Sequence, residues 1–283
     1  MSDLGRAAEL IAGAGALLVC AGAGMGVDSG LPDFRGGEGF WRAYPPYARL
    51  GLRFEELADP RHFAADPELA WGFYGHRLDL YRRTAPHPGF GLLRSWGSRT
   101  PGGVRAFTSN VDGQFQRAGF GAVAEAHGSI HHLQCLDGCT DEIWAADTAE
   151  VEVDEDTMRA RSPLPSCLRC GGLARPNILM FGDFSWQPAR SEAQLTELTA
   201  WRRAHRDVVV VELGAGRAVP TVRRYAELAS AATGALIRVN PREPEIRHGR
   251  GVSIAAGALE TLTALDELLR QPAAVRGGLP EGL

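Results

Sequence analysis

The chain has 283 residues, of which 45% are hydrophobic and 23% charged, which is enough for one large core and a smaller module. Its formal net charge of -4 argues against a general affinity for nucleic acids or anionic membranes, since either needs a concentrated basic face. The longest apolar runs are far too short to span a membrane, and the first residues lack a basic secretory leader. We therefore expect a cytoplasmic protein with no nucleic acid or membrane partner.

The first candidate element is the apolar run 16–20, which breaks at once into closely spaced glycines at 22–26. This pattern is typical of a buried strand that turns into a phosphate-binding loop, because missing side chains let backbone N–H groups approach an anion. The register G-x-G-x-x-G fails at Val27, and no acidic residue stands out at the distance expected for a ribose contact. The glycines alone therefore support a nucleotide site and a structural tight turn about equally.

A helix is predicted from Asp66, because an N-cap residue is followed there by Pro67 at the first helical position. Tyr74 and Arg77 lie three residues apart on this helix, so they share a face and could bind one small anion together. The spacing by itself favours a simpler alternative, in which a solvated arginine lies beside a core tyrosine.

Polar residues follow the next candidate strand, 104–108: Ser109, Asn110 and Asp112 come directly after it. Ligands of open parallel sheets bind at the carboxyl ends of strands, so cofactor contacts are expected here, although Asn and Asp are also common turn formers. Further along, His127 precedes a glycine. It is a candidate general base, because a neutral imidazole with a pKa of about 6.5 can accept a proton at physiological pH.

Four of the five cysteines form two closely spaced pairs, which suits a tetrahedral zinc ion better than disulfides in a cytosolic chain. The four are Cys135, Cys139, Cys167 and Cys170. Because protein would fill every coordination position, we expect a structural metal, and we interpret the nearby His131 and His132 as structural residues rather than ligands. Unrelated free thiols are the alternative. Cys20, at the end of the first apolar run, is interpreted as a small buried hydrophobe.

The second half of the chain alternates strands and helices. The run 207–213 predicts a buried parallel strand that ends at a second glycine turn, formed by Gly214, Ala215 and Gly216. A helix is predicted over 194–203 before it. Three more elements follow it: a helix at 221–233, a strand at 235–239 ending at Asn240, and a helix at 257–270. This alternation is typical of a doubly wound α/β sheet with right-handed crossovers.

Residues 29–35, with the sequence Ser-Gly-Leu-Pro-Asp-Phe-Arg, directly follow the first glycine turn, where an ordinary dinucleotide-binding fold has no reason to carry them. This run resembles the cofactor loop of the sirtuins, which are NAD-consuming protein deacylases. The similarity extends from Ala14 to Leu269 in the family's motif order. It implies a Rossmann-like, doubly wound parallel sheet with an inserted small zinc-binding module and a helical module. The implied boundaries are 1–37, 86–132 and 176–270 for the Rossmann-like domain, 38–85 for the helical module, 133–175 for the zinc module and 271–283 for a tail.

The resemblance also assigns roles to individual residues. It implies that His127 is the catalytic base, that Asn110 and Asp112 form the ribose and nicotinamide pocket, and that the four cysteines hold zinc. It implies substrate contacts for Phe181 and Gly182, and for Tyr74 and Arg77 it implies a grip on the carboxylate of a succinyl or malonyl group. The implied NAD contacts are Gly22, Ala23, Gly24, Asp33, Phe34, Arg35, Ser109, Gly214, Ala215, Gly216 and Asn240.

The chain departs from the sirtuin pattern at several polar positions. Gly26 replaces a serine, Ser109 a glutamine, Asp183 a glutamate, and Ala215 and Gly216 a Thr-Ser pair. Each change near the cofactor removes a polar contact. The expected activity is deacylation of acyl-lysine in a protein or peptide, releasing nicotinamide and O-acyl-ADP-ribose. The alternatives are NAD glycohydrolysis, ADP-ribosyl transfer, and a non-catalytic NAD or ADP-ribose sensor.

Overall fold

The computed structural model of the chain describes residues 2–33, 45–49, 51–246 and 251–271. A six-stranded parallel sheet forms its centre, with strand order β11-β10-β9-β1-β2-β3. The strands are β1 (Ala16–Ala21), β2 (Val104–Thr108), β3 (Val123–Glu125), β9 (Val208–Leu213), β10 (Leu236–Val239) and β11 (Val252–Ile254). Every residue of β1 and β9 is buried, as the near-continuous apolar runs predict for strands covered on both faces.

The direction of strand addition reverses beside β1. From β1 the chain adds β2 and β3 on one side, and β9, β10 and β11 follow on the other side. The predicted doubly wound α/β sheet is therefore confirmed, and its topological switch point lies between β1 and β9. Crevices at such points are where open α/β sheets bind ligands.

Helices cover both faces of the sheet. One face packs against α1 (Asp3–Ala12), α6 (Pro88–Arg99) and α10 (Ala258–Arg270), where Trp96 donates from Nε1 to Asp266 Oδ1 at 2.8 Å. The other packs against α8 (Ala189–Ala204) and α9 (Thr221–Ser230). The prediction 194–203 was thus five residues late at the start of α8, and 221–233 ran three residues past the end of α9. Among the described residues, no helix has both the length and the apolar character that crossing a membrane requires.

Five more α-helices and a second sheet belong to the described part of the chain. The helices are α2 (Pro45–Arg49), α3 (Phe54–Leu57), α4 (Arg61–Ala65), α5 (Pro67–Arg83) and α7 (Gln114–Arg117). Helix α5 begins as predicted, with the Asp66 side chain accepting a hydrogen bond from Leu69 N at 3.2 Å. The second sheet is antiparallel, in the order β5 (Ile143–Ala145), β4 (Gly128–Cys135) and β8 (Ala174–Ile178).

The long acidic connection inside the cysteine-containing segment is ordered. It forms the hairpin β6 (Val153–Asp154) and β7 (Arg159–Ala160), which packs on α5. Tyr47 Oη donates to the Met158 carbonyl at 3.2 Å, and Gly72 approaches the same carbonyl so closely that a Cβ would lie 2.0 Å from it. The helical segment and the cysteine-containing segment therefore share one apolar core. The exact boundaries of the three units remain a prediction.

Candidate active site

The two glycine turns meet at the switch point of the sheet. Gly24 N donates to Gly214 O at 3.0 Å, and Gly22 N donates to Leu213 O at 3.0 Å. Gly214 has a φ of 61°, and a Cβ there would lie 2.4 Å from the carbonyl carbon of Gly24. Only glycine permits both this backbone conformation and this approach. The glycines and alanines of the two turns carry no side chain larger than a methyl group, so the turns form one cradle that suits the close approach of a phosphate.

A cavity of about 680 Å³ extends from this cradle along the carboxyl edge of the sheet. That volume lies within the usual range of ligand sites. The cavity brings together residues from both turns, the end of β2, helix α5 and the segment after β8. The predicted site residues on its wall are Gly22, Ala23, Asp33, Tyr74, Arg77, Ser109, Asn110, Asp112, His127, Phe181, Gly214, Ala215 and Gly216.

Two predicted cofactor contacts lie behind this wall. The amide of Gly24 is directed at Gly214, and Asn240 is fully buried, donating from Nδ2 to Ala215 O at 2.8 Å. Their observed contacts orient the second glycine turn. Gly182 is likewise not on the wall. Phe34 and Arg35 lie outside the described residues.

Asn110 and Asp112 are both held by the backbone around them. Asn110 Nδ2 donates to Gly22 O at 3.0 Å, which joins the end of β2 to the first glycine turn. Asp112 Oδ1 accepts from Gln114 N at 2.9 Å, and His131 Nε2 lies 2.9 Å from the Asp112 carbonyl. His131 therefore has a structural contact, as the sequence predicts. The pKa of Asp112 is raised to about 6, chiefly by burial, with the Gln114 N–H and the charge of Arg77 lowering it and the charge of Glu125 raising it.

His127 is positioned to accept a proton. It lies between β3 and β4, and its Nε2 is 3.2 Å from Thr221 Oγ1, in the first turn of α9. Burial lowers the pKa of His127 below its ordinary value of 6.5, so the imidazole is mostly neutral at physiological pH. A neutral ring that lies on the cavity wall and is held by a hydrogen bond to a hydroxyl has the protonation state and the place that a general base needs.

Helix α5 brings a buried phenol and a buried guanidinium to the cavity. Arg77 is only 5% exposed, so the alternative of a solvated arginine is wrong. Its Nε and Nη2 donate to Tyr81 Oη at 3.1 and 3.0 Å, and its Cζ lies 5.5 Å from the ring centre of Tyr74. Burial raises the pKa of Tyr74 to about 12, so its hydroxyl is a hydrogen-bond donor at neutral pH.

The four predicted metal ligands converge. The sulfur atoms of Cys135, Cys139, Cys167 and Cys170 all lie within 4.8 Å of one another. Two of the separations, Cys135 to Cys170 at 3.9 Å and Cys139 to Cys167 at 3.6 Å, match the ~3.8 Å edge of a tetrahedron with zinc–sulfur bonds of about 2.3 Å. Backbone N–H groups of Arg169 and Gly172 point at Cys167 and Cys170. The cluster fits zinc and, with four protein ligands, a structural role.

Two contacts in the site were not predicted from the sequence. Tyr81 follows Arg77 by four residues on the same helix, so helical spacing could have indicated it. Thr221 is 94 residues from His127, and no local signal joins them.

Comparison with known proteins identifies the family. The model of the Sir2 family matches residues 22–212. NAD-dependent protein deacylase 1 of Pseudomonas aeruginosa is 33% identical over 93% of this chain and 96% of its own length. NAD-dependent protein deacylase 2 of Pyrobaculum aerophilum is 32% identical over 96% and 98%. A solved Sir2 homologue in complex with NAD has a TM-score of 0.73 and 26% identity, covering 94% of this chain and 93% of that one. The chain belongs to the Sir2 family.

Proposed function

We propose that this protein is an NAD-dependent protein lysine deacylase with a preference for acyl groups that end in a carboxylate. The observation that carries the proposal is a single cavity that joins the paired glycine turns to Asn110, Asp112 and His127, and continues to Tyr74 and Arg77. NAD, when bound, supplies the ribose carbon from which nicotinamide leaves and to which the acyl oxygen attaches. One water molecule is consumed, and the products are free lysine, nicotinamide and O-acyl-ADP-ribose.

The proposal gives each group on the wall one task. The cradle of the two glycine turns allows the phosphates to approach the backbone closely. Asp112 and the amide of Asn110 bind the nicotinamide ribose and carboxamide. His127 would take a proton from a hydroxyl of the bound ribose, which would let that oxygen attack the acyl carbon. The hydrogen bond to Thr221 would hold the ring in place for this transfer.

The preference for an acidic acyl group rests on burial and charge. Arg77 is almost fully buried on a wall that also carries the neutral phenol of Tyr74. A carboxylate at the end of a succinyl or malonyl chain could accept charge-assisted hydrogen bonds from both, whereas an acetyl group has no carboxylate to offer them. Tyr81, which accepts two hydrogen bonds from Arg77, would fix the orientation of the guanidinium plane.

The test is a kinetic comparison of acetyl-lysine and succinyl-lysine peptides with NAD, with products identified by mass spectrometry. We expect nicotinamide and O-acyl-ADP-ribose from both, and a higher kcat/KM for the succinyl peptide. Because all 30 basic residues of the enzyme are arginines, none of the acyl-lysine signal can come from its own side chains.

Arg77→Met should lose roughly 10- to 100-fold in kcat/KM on succinyl peptide, since one charge-assisted hydrogen bond contributes about 1.5–3 kcal/mol, while sparing acetyl peptide. The control is Arg83→Met on the same helix, which removes an exposed ion pair with Asp79 and should change neither activity. Equal loss on both peptides would show that Arg77 is structural. A wild-type enzyme that prefers acetyl peptide would contradict the acidic preference.

A second reaction on the same cofactor is favoured by Ser109, Ala215 and Gly216, which line the cavity and have shorter or less polar side chains than the sirtuin pattern has there. With fewer contacts to order the ribose, water or another nucleophile could take the ADP-ribosyl group. Free ADP-ribose with no acyl ester in the same mass spectra would support NAD glycohydrolysis. A modified protein would support ADP-ribosyl transfer. Binding of NAD without turnover would support a non-catalytic NAD or ADP-ribose sensor.

A further inference from the structure

A fully buried ion pair lies next to the cavity without reaching its wall. Arg175 in β8 and Asp183 in the turn after it both have side chains that are 0% exposed. Arg175 Nη1 donates to Asp183 Oδ1 at 3.1 Å, and Nη2 donates to Oδ2. Burying two charges carries a large desolvation penalty, and apolar replacements of such pairs are often neutral or stabilising. A contribution to the stability of the fold is therefore a poor explanation for this ion pair. The hydrogen bonds that the pair makes to the backbone between its two members suggest another role.

The pair fixes the backbone between its two members. Arg175 Nη2 also donates to the Ile178 carbonyl at 2.8 Å, and Asp183 Oδ2 accepts from Met180 N at 3.3 Å. Ser185 extends the same network, because its amide donates to Asp183 Oδ1 at 3.2 Å and its Oγ accepts from Arg175 Nη1 at 3.4 Å. The charged groups thus replace the backbone partners that a regular strand would supply.

The segment held in this way forms part of the cavity wall. Residues 178–181 all line the cavity. Leu179 N donates to the His127 carbonyl at 2.9 Å, and Phe181 N donates to the Ala58 carbonyl at 2.9 Å. The Phe181 ring also meets the ring of Phe54 edge to face, with centres 6.2 Å apart. This segment therefore connects the candidate base to the helical segment that carries the acyl pocket.

We propose that Arg175 and Asp183 are positioning residues that set this wall for the acyl-lysine chain. The inference rests on the proposed function. It adds that this ion pair affects binding of the acyl-lysine substrate but not binding of NAD. The contacts proposed for NAD belong to the glycine turns and to Asn110 and Asp112, which the pair does not touch. Loss of the pair should therefore weaken peptide binding and leave NAD binding nearly unchanged.

Two variants test the pair at different strengths. Arg175→Met with Asp183→Leu removes both charges at similar volume, so neither remains buried without its partner. Ser185→Ala removes one neutral hydroxyl from the network and keeps the charges. Since small displacements of positioning groups have large kinetic effects, we expect the KM for acyl peptide to rise at least ~10-fold in the double variant and ~3-fold in Ser185→Ala, with the KM for NAD within about 2-fold of wild type. Arg83→Met serves again as the exposed ion-pair control.

A folded double variant with the wild-type peptide KM would overturn the proposal, as would equal increases in both KM values. If the double variant does not fold, Ser185→Ala decides in the same way, and an unchanged peptide KM rejects the positioning role.

Hydrogen exchange gives a second readout that needs no turnover. The amides of Leu179 and Phe181 should exchange faster in the variants, while the amide of Val210, which donates to Ala235 O within the central sheet, should not change. If the wild-type protein has no deacylase activity, the proposed function is refuted, but hydrogen exchange still tests the role of the pair. Unchanged exchange at the amides of both Leu179 and Phe181 in the variants would reject the positioning role.

Discussion

The carboxyl group of Asp112 illustrates, at the scale of one residue, how a site can lower stability. Its pKa is raised from 3.8 to about 6, chiefly by burial, so the native state holds a proton that the unfolded state has already released between pH ~4 and ~6. The free energy of unfolding should therefore fall as the pH rises through this window. The full pKa shift would correspond to a larger loss of unfolding free energy. Because solvent in the cavity screens the charge, we expect a loss of about 1–2 kcal/mol.

Asp112→Asn should remove this loss. Urea unfolding at pH 4 and pH 7 should show equal stability for wild type and variant at the lower pH, and a variant more stable by about 1–2 kcal/mol at the higher pH, together with a large fall in activity. Asp141→Asn, on the surface, is the matched control and should change stability by less than about 0.5 kcal/mol at either pH. A variant less stable than wild type at pH 7 would show that the charged form of Asp112 is stabilised by its surroundings.

At the scale of elements, the sequence predicted correctly those helices, strands and turns that depend on contacts between neighbouring residues. The strand at 104–108, the two glycine turns and the start of α5 at Asp66 appear as expected, because burial pattern and capping act within a few residues. Contacts outside these local patterns gave no signal: nothing near Arg175 indicates the ion pair with Asp183, and nothing in the acidic run 150–156 indicates the hairpin that packs on α5. Tertiary packing decides such features.

Two glycines in helices offer a test of that packing. Gly72→Ala in α5 would place a Cβ 2.0 Å from the Met158 carbonyl oxygen, so the hairpin must move, and we expect a loss of about 1–3 kcal/mol. Gly91→Ala in α6 faces open space and should gain about 0.5–1 kcal/mol from helix propensity. Chemical denaturation of both variants measures the difference. Similar stability changes in the two would mean that the hairpin does not pack on α5 in solution.

At the scale of the whole molecule, the metal module supports the pocket from a distance. Strand β4 runs from Gly128, next to His127, to the ligand Cys135, and β8 leads from the cysteine cluster to the wall at Ile178. The free energy of binding a structural zinc ion stabilises the folded state of the segment around it. Loss of the metal should therefore reach the pocket through both strands and through the hairpin on α5, although no ligand cysteine touches the cavity.

We expect one zinc ion per chain by metal analysis, and chelation should abolish activity together with a loss of folded structure seen by circular dichroism. Cys139→Ala should lose zinc and activity in the same way, because it removes one of four ligands. Cys20→Ala is the matched control: this buried thiol lies in β1, apart from the cluster, so the variant should keep its zinc and at least part of its activity. Chelated protein that stays folded and active would show that the zinc module does not support the pocket, and purified protein without zinc would refute the metal site itself.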